Sequence, residues 1–118
     1  MKIPHPTKES SALFKSMVPK DPRVTTRPMF GNVSAFVNGN MFMGVYGDDL
    51  FVRLSGEDRD ELLGEAGASV FEPMKGKQMK EYILVPRVWR TQPKIVTSWV
   101  SRSMDWASKL PKKGGKKK

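Results

Sequence analysis

The stretch Phe36-Val37-Asn38-Gly39-Asn40-Met41-Phe42 decides the fold, because it places a tight turn between two runs of strand-forming residues. Asn-Gly is the dipeptide best suited to a type I′ turn, since both of its residues tolerate a positive φ angle. A two-residue turn at this position sets Phe36 opposite Met41 and Val37 opposite Asn40. The stretch therefore predicts an antiparallel β-hairpin with a defined register.

Working outward from this hairpin, turn and cap residues predict an α+β domain. The predicted strands form a three-stranded meander over 29–54, with a second turn at 47–49, and a second hairpin with strands at 70–72 and 78–85. The predicted helices run from Lys8 to Val18 with Thr7 as N-cap, from an N-cap at Ser55 to Gly64 or Gly67, and from near Thr91 to Leu110. The sequence thus predicts a two-layer fold with a five-stranded antiparallel sheet and three helices, in the order α-β-β-β-α-β-β-α.

The length and the charge pattern predict one domain with a basic tail. A chain of 118 residues has room for a single core. We expect residues 1–7 to be a flexible N-terminus, residues 8–111 to form the domain and residues 112–118 to form a tail rich in lysine and glycine. The formal net charge is +9, and five of the positive charges come from tail residues, namely Lys112, Lys113, Lys116, Lys117 and Lys118. The body of the domain is therefore only mildly basic.

The predicted register divides the strand residues between two faces. One face carries large apolar residues that the helices should cover: Phe30, Phe36, Met41, Met43, Val45, Leu50, Val52 and Leu54. The opposite face is also too apolar for a face in contact with water. We predict that it forms a partner surface: Val33, Ala35, Phe42, Tyr46, Phe51 and Arg53. The partner is another chain or an identical copy, and the alternatives are that a helix or the tail covers this face or that the turn has another length.

The residue inventory excludes several kinds of chemistry. Cysteine is absent, which excludes disulfides, thiolate metal ligands and cysteine nucleophiles, and His5 is the single histidine. No GxxxxGK[ST], GxGxxG or GxSxG motif occurs. The acidic pairs Asp48-Asp49 and Glu57-Asp58 fit a turn and a helix start better than a catalytic dyad. We therefore predict no catalytic residue, no cofactor and no metal site.

Membrane contact is not expected, whereas the tail supports two interpretations. No apolar run approaches the roughly 20 residues of a membrane helix, and the N-terminus has no hydrophobic signal segment, so we expect a cytoplasmic protein. The tail is either a phosphate-contacting arm for nucleic acid or a solvated end. No aromatic residue alternates with its lysines, so it offers no stacking platform for bases.

Several motifs occur in an order that resembles a known family. Residues 27–31, 36–42 and 49–54 resemble its R-x-M-F-G-G…N-G-x-M-F signature and the strand that follows it, and residues 71–86 resemble its later hairpin. Together with the tryptophan-containing helix that ends before Pro111, this order resembles the N-terminal domain of the TfoX/Sxy competence regulators over about residues 8–111. Asn32 departs from the pattern, because many relatives have a second glycine there.

The resemblance implies a fold like that of the type III secretion chaperones and the short form of the family, without its separate C-terminal domain. It supplies no catalytic residues to carry over. We therefore expect a non-enzymatic protein-interaction domain, an accessory in transcription or competence-type regulation, that is able to form a homodimer. The alternatives are a nucleic-acid-binding accessory that uses the basic tail and, third, a small enzyme.

Overall fold

A computed structural model describes residues 5–29 and 32–111, which fold into three α-helices, one 3₁₀ helix and six β-strands. The helices are α1 (Lys8–Met17), α2 (Gly56–Leu63), the 3₁₀ helix η1 (Arg87–Thr91) and α3 (Pro93–Ser108). The strands are β1 (Val24–Met29), β2 (Asn32–Val37), β3 (Asn40–Tyr46), β4 (Asp49–Arg53), β5 (Ser69–Met74) and β6 (Lys77–Leu84). The predicted α+β class with three α-helices is confirmed.

The described strands form one antiparallel sheet in the order β1-β2-β3-β4-β6-β5. The prediction of five strands is wrong, because β1 precedes the predicted meander. β1 contains Pro28, which cannot donate a ladder hydrogen bond and is tolerated because the strand lies at the edge. Thr25, Thr26 and Arg27 are exposed, so the segment lacks the apolar alternation by which a covered strand is identified.

Both edges of this sheet are poorly suited to pairing with another chain. At the β1 edge, Pro28 lies opposite Val33 and has no N–H to offer to an added strand. At the other edge, β5 contains Pro73 and two irregularities in its pairing with β6. Prolines and bulges at these positions disfavour extension of the sheet by an added strand.

The predicted helix starts are confirmed at α1 and α2. The Thr7 hydroxyl accepts a hydrogen bond from the backbone N–H of Ser10 at 3.1 Å, and the Ser55 hydroxyl accepts one from Asp58 at 3.3 Å. Each cap satisfies an N–H group that has no partner within its helix. α3 begins at Pro93, whose missing N–H costs nothing in the first turn.

The predicted hairpin turn also binds the end of the last helix. Asn38 has a φ angle of 52°, as a type I′ turn requires, and its side-chain amide donates to the carbonyl of Ser108 at 3.5 Å. Asn40 donates to the carbonyl of Pro111 at 3.0 Å. Carbonyls at a helix C-terminus lack donors within the helix, and the turn supplies them. The turn therefore fixes both the strand register and the position at which α3 ends.

A β-bulge between β2 and β3 changes which side chains face the helices. The predicted pairing of Phe36 with Met41 is confirmed, but Ala35 pairs with Met43, so Phe42 is an extra residue in β3. The extra residue shifts the alternation by one position. Side chains on one side of the bulge therefore point to the face opposite to the one that strict alternation predicts. Ala35, Phe42 and Met43 therefore all join the core beneath the helices, whereas Phe36 lies under the guanidinium of Arg27 on the opposite side.

We call the side of the sheet beneath the helices the inner face and the opposite side the outer face. The inner-face prediction is confirmed for five residues, all buried in the main core: Met43, Val45, Leu50, Val52 and Leu54. It is wrong for Phe36 and Met41, which are only half-buried and do not belong to that core, and Phe30 lies outside the described residues. α1 contributes Phe14 and Met17 to the core, and α3 contributes a longer row: Val96, Trp99, Val100 and Ala107.

Ser103 of α3 joins two strands of the sheet where their own ladder ends. β3 and β4 pair from Tyr46 opposite Asp49 to Met43 opposite Val52. One residue further, the Ser103 hydroxyl donates to the carbonyl of Phe42 and accepts from the backbone N–H of Arg53. Ser103 is fully buried, and its hydroxyl satisfies two backbone groups that would otherwise be buried without partners.

Candidate interaction surface

The predicted partner surface is not an exposed face of the molecule. Ala35 and Phe42 lie on the inner face because of the bulge, and each has 0% of its surface exposed. Phe51 lies on the outer face, but it is also 0% exposed. The prediction that these three residues are available to a partner is therefore wrong for the folded chain. Val33 packs against the inner core, while Tyr46 and Arg53 are half-buried on the outer face.

The β5–β6 hairpin covers Phe51. The ring of Phe71 from β5 stacks on Phe51 with a centroid separation of 4.4 Å, and Tyr82 from β6 packs edge-on at 5.7 Å. Tyr46 from β3 packs edge-on against Phe71 at 5.2 Å, and its hydroxyl donates to the carbonyl of Pro73 at 2.9 Å. β3 and β5 are not neighbours in the sheet, so the hairpin crosses over the outer face of β4.

Two local features let the hairpin cross. The pairing of β5 with β6 shifts between Val70 and Phe71, so that Val70 lies opposite Ile83 but Phe71 lies opposite Met79. Such an irregularity bends a strand pair and increases its twist. Gly44 of β3 leaves room for the covered ring, because a Cβ there would lie 2.8 Å from Cε2 of Phe51.

Polar groups surround this aromatic cluster. Arg53 forms an ion pair with Glu81 at 3.0 Å, and its guanidinium lies over the ring of Tyr82 at 5.5 Å from the centroid. Burial raises the pKa of the Tyr82 phenol. These contacts leave Arg53 bound to its own chain, with 14% of its side chain exposed.

An accessible surface lies beside the C-terminal end of β6, where two arginines attach η1 to the β3–β4 turn. Arg87 forms a bidentate ion pair with Asp49, at 2.7 and 3.1 Å. Arg90 donates to the backbone carbonyl of Asp48 and to the hydroxyl of Ser10 at 2.9 Å. Side chains three residues apart are eclipsed in a 3₁₀ helix, so both arginines point to the same turn.

Asp48 connects this attachment to α1. Its Oδ1 atom accepts hydrogen bonds from the Ser10 hydroxyl at 2.8 Å and from the backbone N–H of Thr7 at 3.2 Å. The Ser10 hydrogen bond, followed by the bond from Thr7, holds the pKa of the Asp48 carboxyl below its ordinary value. The start of α1, the β3–β4 turn and η1 therefore form one polar network.

Because the arginines face the turn, Val88 between them faces outward. Val88 is 71% exposed, more than any other large apolar residue that the structure describes. It borders an open groove of about 600 Å³, which we call the Val88 groove. The groove is lined by the end of β6 and by the loop between α2 and β5, with these residues: Asp49, Ala66, Gly67, Ser69, Leu84, Val85, Pro86, Arg87 and Val88.

A second depression of about 330 Å³ adjoins the groove and shares Asp49, Leu84 and Arg87 with it. Tyr46 and Phe71 are among the residues that line it, so it reaches the aromatic cluster. His5, Asp48 and Glu72 also line it. The two depressions thus join at Asp49, Leu84 and Arg87, and polar or charged residues make up most of the lining of the second.

Both acidic pairs of the sequence lie where a turn and a helix start were predicted. Within 5–29 and 32–111, no three His, Asp or Glu side chains are grouped so as to hold a metal ion. Of the two acidic pairs, Asp48 and Asp49 bind the arginines of η1, whereas Asp58 lies in the first turn of α2 and contacts Arg102 at 3.4 Å. None of the helices described is long and apolar enough to cross a membrane.

The sequence did not predict the Val88 groove. Its residues come from β4, the loop between α2 and β5, the first residue of β5, the end of β6 and η1, which only the fold brings together. One local signal was present, namely an apolar residue between two arginines spaced i, i+3, directly after a proline that ends a strand. The predicted basic tail, Lys112 to Lys118, and the first four residues of the predicted flexible N-terminus lie outside the described residues.

Comparison with known proteins gives one family. No curated protein matches this chain in sequence. The family model described as the TfoX N-terminal domain matches residues 16–107, which is more than half of the 118 residues and includes the whole sheet, α2, η1 and most of α3. The chain belongs to the TfoX N-terminal domain family, as its motifs predicted.

Proposed function

We propose that this chain is a non-enzymatic protein-interaction domain that acts as an accessory in transcription or competence-type regulation, and that the Val88 groove is its binding surface. Membership of the TfoX N-terminal domain family, which is linked to competence and regulatory roles, supports the regulatory part. The observation that carries the binding part is the exposure of Val88 on a rigidly attached helix.

The attachment of η1 explains why Val88 cannot turn inward. Three hydrogen bonds from Arg87 and Arg90 reach side chains, and a fourth reaches the backbone of Asp48. Rotating η1 to bury Val88 would break these bonds. Burying a valine side chain is worth about 1.5–3 kcal/mol, so a partner that covers Val88 gains a contact that the chain itself cannot make.

The charges at the groove favour a protein over a small charged ligand. Asp49 and Arg87 neutralise each other in a bidentate pair, which leaves no free ionic group from either residue. Leu84, Val85, Pro86 and Val88 supply the apolar lining. An apolar centre with a polar rim is the usual arrangement of a protein–protein contact. The partner should therefore insert an apolar side chain against Val88.

The experiment compares Val88→Asp with Ile95→Asp. Ile95 is an exposed apolar residue in the first turn of α3, outside the groove, where an aspartate is well tolerated next to the helix N-terminus. Proteins captured from a cell extract by the wild type are identified, and the affinity of each purified candidate is measured. Val88→Asp should weaken binding at least about tenfold, equal to roughly 1.4 kcal/mol, while Ile95→Asp should leave it unchanged.

Two results would contradict the proposal. One is a purified partner that binds wild type and Val88→Asp equally well. The other is a dimer of this chain, seen by sedimentation, that Val88→Asp dissociates while no other protein binds the groove. In that second case the surface would bind an identical copy, as the predicted homodimer requires, and not a different regulatory protein. Circular dichroism of both variants should match the wild type, because each changed side chain is exposed.

A further inference from the structure

Asn32 is a polar residue that is almost completely buried. It is the first residue of β2, at the position where the sequence departs from the family signature, and only 1% of its surface is exposed. Its side-chain Oδ1 atom accepts a hydrogen bond from the backbone N–H of Gly47 at 2.9 Å. The bond therefore joins β2 to the turn between β3 and β4, over a separation of 15 residues.

Gly47 needs a hydrogen-bond acceptor from outside its own hairpin. Tyr46 lies opposite Asp49, so Gly47 and Asp48 form a two-residue turn, in which Gly47 has a φ angle of 61°. The N–H of the first turn residue takes no part in the ladder of such a hairpin. Gly47 is buried, and a buried N–H without an acceptor destabilises the conformation that contains it. The side chain of Asn32 therefore stabilises this form of the turn.

The same turn determines where Val88 points. Asp49 accepts two hydrogen bonds from Arg87, and the backbone carbonyl of Asp48 accepts one from Arg90. Both arginines thus hold η1 through the turn, and Val88 lies between them in the chain. A shift of the turn would therefore also move the Val88 side chain.

We infer that Asn32 is a positioning residue for the Val88 groove, which acts through the β3–β4 turn. Asn32 lines neither the groove nor the depression beside it, so it has no need to touch a partner. The start of α1 also holds the turn, but its hydrogen bonds reach the carboxylate of Asp48, whereas Asn32 binds the N–H of Gly47. The importance of this role rests on the proposed function of the groove, although the attachment of η1 can be measured without a partner.

The experiment measures amide hydrogen exchange by NMR in the full chain and in the variant Asn32→Ala. Two amides report on the site, that of Gly47 and that of Trp89 in η1, which donates to the carbonyl of Pro86 at 3.0 Å. The amide of Val100, a buried residue of α3, is the reference for unfolding of the whole domain. Relative to this reference, Asn32→Ala should speed exchange at both reporting amides by at least about fivefold, because a buried hydrogen bond is lost.

The matched control is Asn40→Ala, which removes another buried asparagine, at the opposite end of β3. Asn40 is 2% exposed, and its side chain also bonds to a backbone group, the carbonyl of Pro111 at 3.0 Å. If Asn32 only stabilised the domain as a whole, both variants would change the exchange of Trp89 by the same factor relative to Val100. We expect Asn32→Ala alone to change it.

A second variant, Asn32→Asp, keeps a side-chain oxygen that can accept from Gly47. It should preserve the exchange rate of Trp89, and it provides the test if Asn32→Ala fails to fold. The inference is wrong if Asn32→Ala leaves Trp89 exchange unchanged relative to Val100, or if Asn32→Asp speeds it by about fivefold or more.

These results are separate from those that test the proposed function. Loss of the positioning role of Asn32 would leave the effect of Val88→Asp on binding as the test of the groove. A partner that binds Val88→Asp as tightly as the wild type would contradict the proposed function, but it would not change the exchange rates of Gly47 and Trp89.

Discussion

The two faces of the sheet are both buried, but they are covered by different kinds of structure. Helices cover the inner face, and their apolar side chains meet a continuous core that includes Phe42. A hairpin from the sheet itself covers the outer face, where Phe71 stacks on Phe51. The apolar content of both faces was visible in the sequence, and it was the origin of the predicted partner surface. An apolar face is therefore not by itself a docking surface, because the same chain can supply its cover.

Buried polar groups occur under both covers, and not all of them are paired. On the inner side, the Ser103 hydroxyl makes two hydrogen bonds to the backbones of neighbouring strands. On the outer side, the Ser34 hydroxyl is buried close to the position of Phe51 and has no hydrogen-bond partner among the described residues. An unsatisfied buried hydroxyl costs about 1–3 kcal/mol. Trp106 of α3, one of the helices on the inner side, also has a buried Nε1 without a hydrogen-bond partner among the described residues, so neither cover pairs every polar group.

Replacing Phe42 on the inner face and Phe51 on the outer face tests whether both faces are buried in solution. We expect these two changes to have the largest effect on stability. Phe42→Ala and Phe51→Ala should each lower the free energy of unfolding by about 3–5 kcal/mol, because each removes a fully buried ring. Urea denaturation measures both, with the exposed Val88→Ala as the control. If Phe51→Ala lowers the free energy of unfolding no more than Val88→Ala does, the hairpin does not cover the outer face in solution. Phe51 would then be available to a partner.

Local signals in the sequence predicted the elements of the fold more reliably than its faces. Asn38-Gly39 fixed the hairpin register, and Thr7 and Ser55 marked helix starts, because turns and caps depend on a few adjacent residues. The sequence did not predict β1, because an exposed edge strand does not need the alternation of apolar and polar residues by which strands are identified. Phe36, Met41 and Phe42 were assigned to the wrong faces because Met41, Phe42 and Met43 are all apolar, so the pattern contains no sign of the bulge between them.

The candidate site could not be predicted from spacing along the chain. Arg87 pairs with Asp49 and Arg90 contacts Asp48, over separations of 38 and 42 residues. Without these pairs, the segment after Pro86 resembles an ordinary loop, and Val88 resembles one more core residue. The exposure of Val88 follows from the geometry of η1, which the sequence alone did not reveal.

Removing the hydroxyl of Ser103 tests the contact between α3 and the inner face. We expect an intermediate loss of stability. Ser103→Ala should lower the free energy of unfolding by about 1–3 kcal/mol, because it leaves two backbone groups buried without a partner. Hydrogen exchange at the amide of Arg53 should also become faster. Ser101→Ala, at an exposed position two residues earlier on α3, is the matched control and should change neither quantity. Equal exchange at Arg53 in both variants would show that the hydroxyl does not join β3 to β4.

The smallest change in stability should come from Ser10→Ala, which removes a hydrogen bond between α1 and the Asp48 carboxylate. α1 is one of the helices that cover the inner face. The pKa of Asp48 is below its ordinary value because Ser10 and Thr7 donate to the ionised carboxylate. A depressed pKa stabilises the folded state above the unfolded pKa of about 3.9, and this contribution is lost as the pH falls through the lower, folded pKa. Ser10→Ala should therefore move the Asp48 pKa upward toward its ordinary value, as followed by NMR titration of the carboxyl group.

The melting temperature gives an independent measure of the same attachment. The difference between the wild type and Ser10→Ala should be larger at neutral pH than in acid, where Asp48 is protonated in both proteins. Ser11→Ala is the control, because the Ser11 side chain forms no hydrogen bond with Asp48 in the described part of the chain. A difference that stays constant across this pH range would mean that Ser10 contributes packing alone, since it is also buried against its surroundings. The inner cover would then depend on apolar contacts without help from the carboxylate.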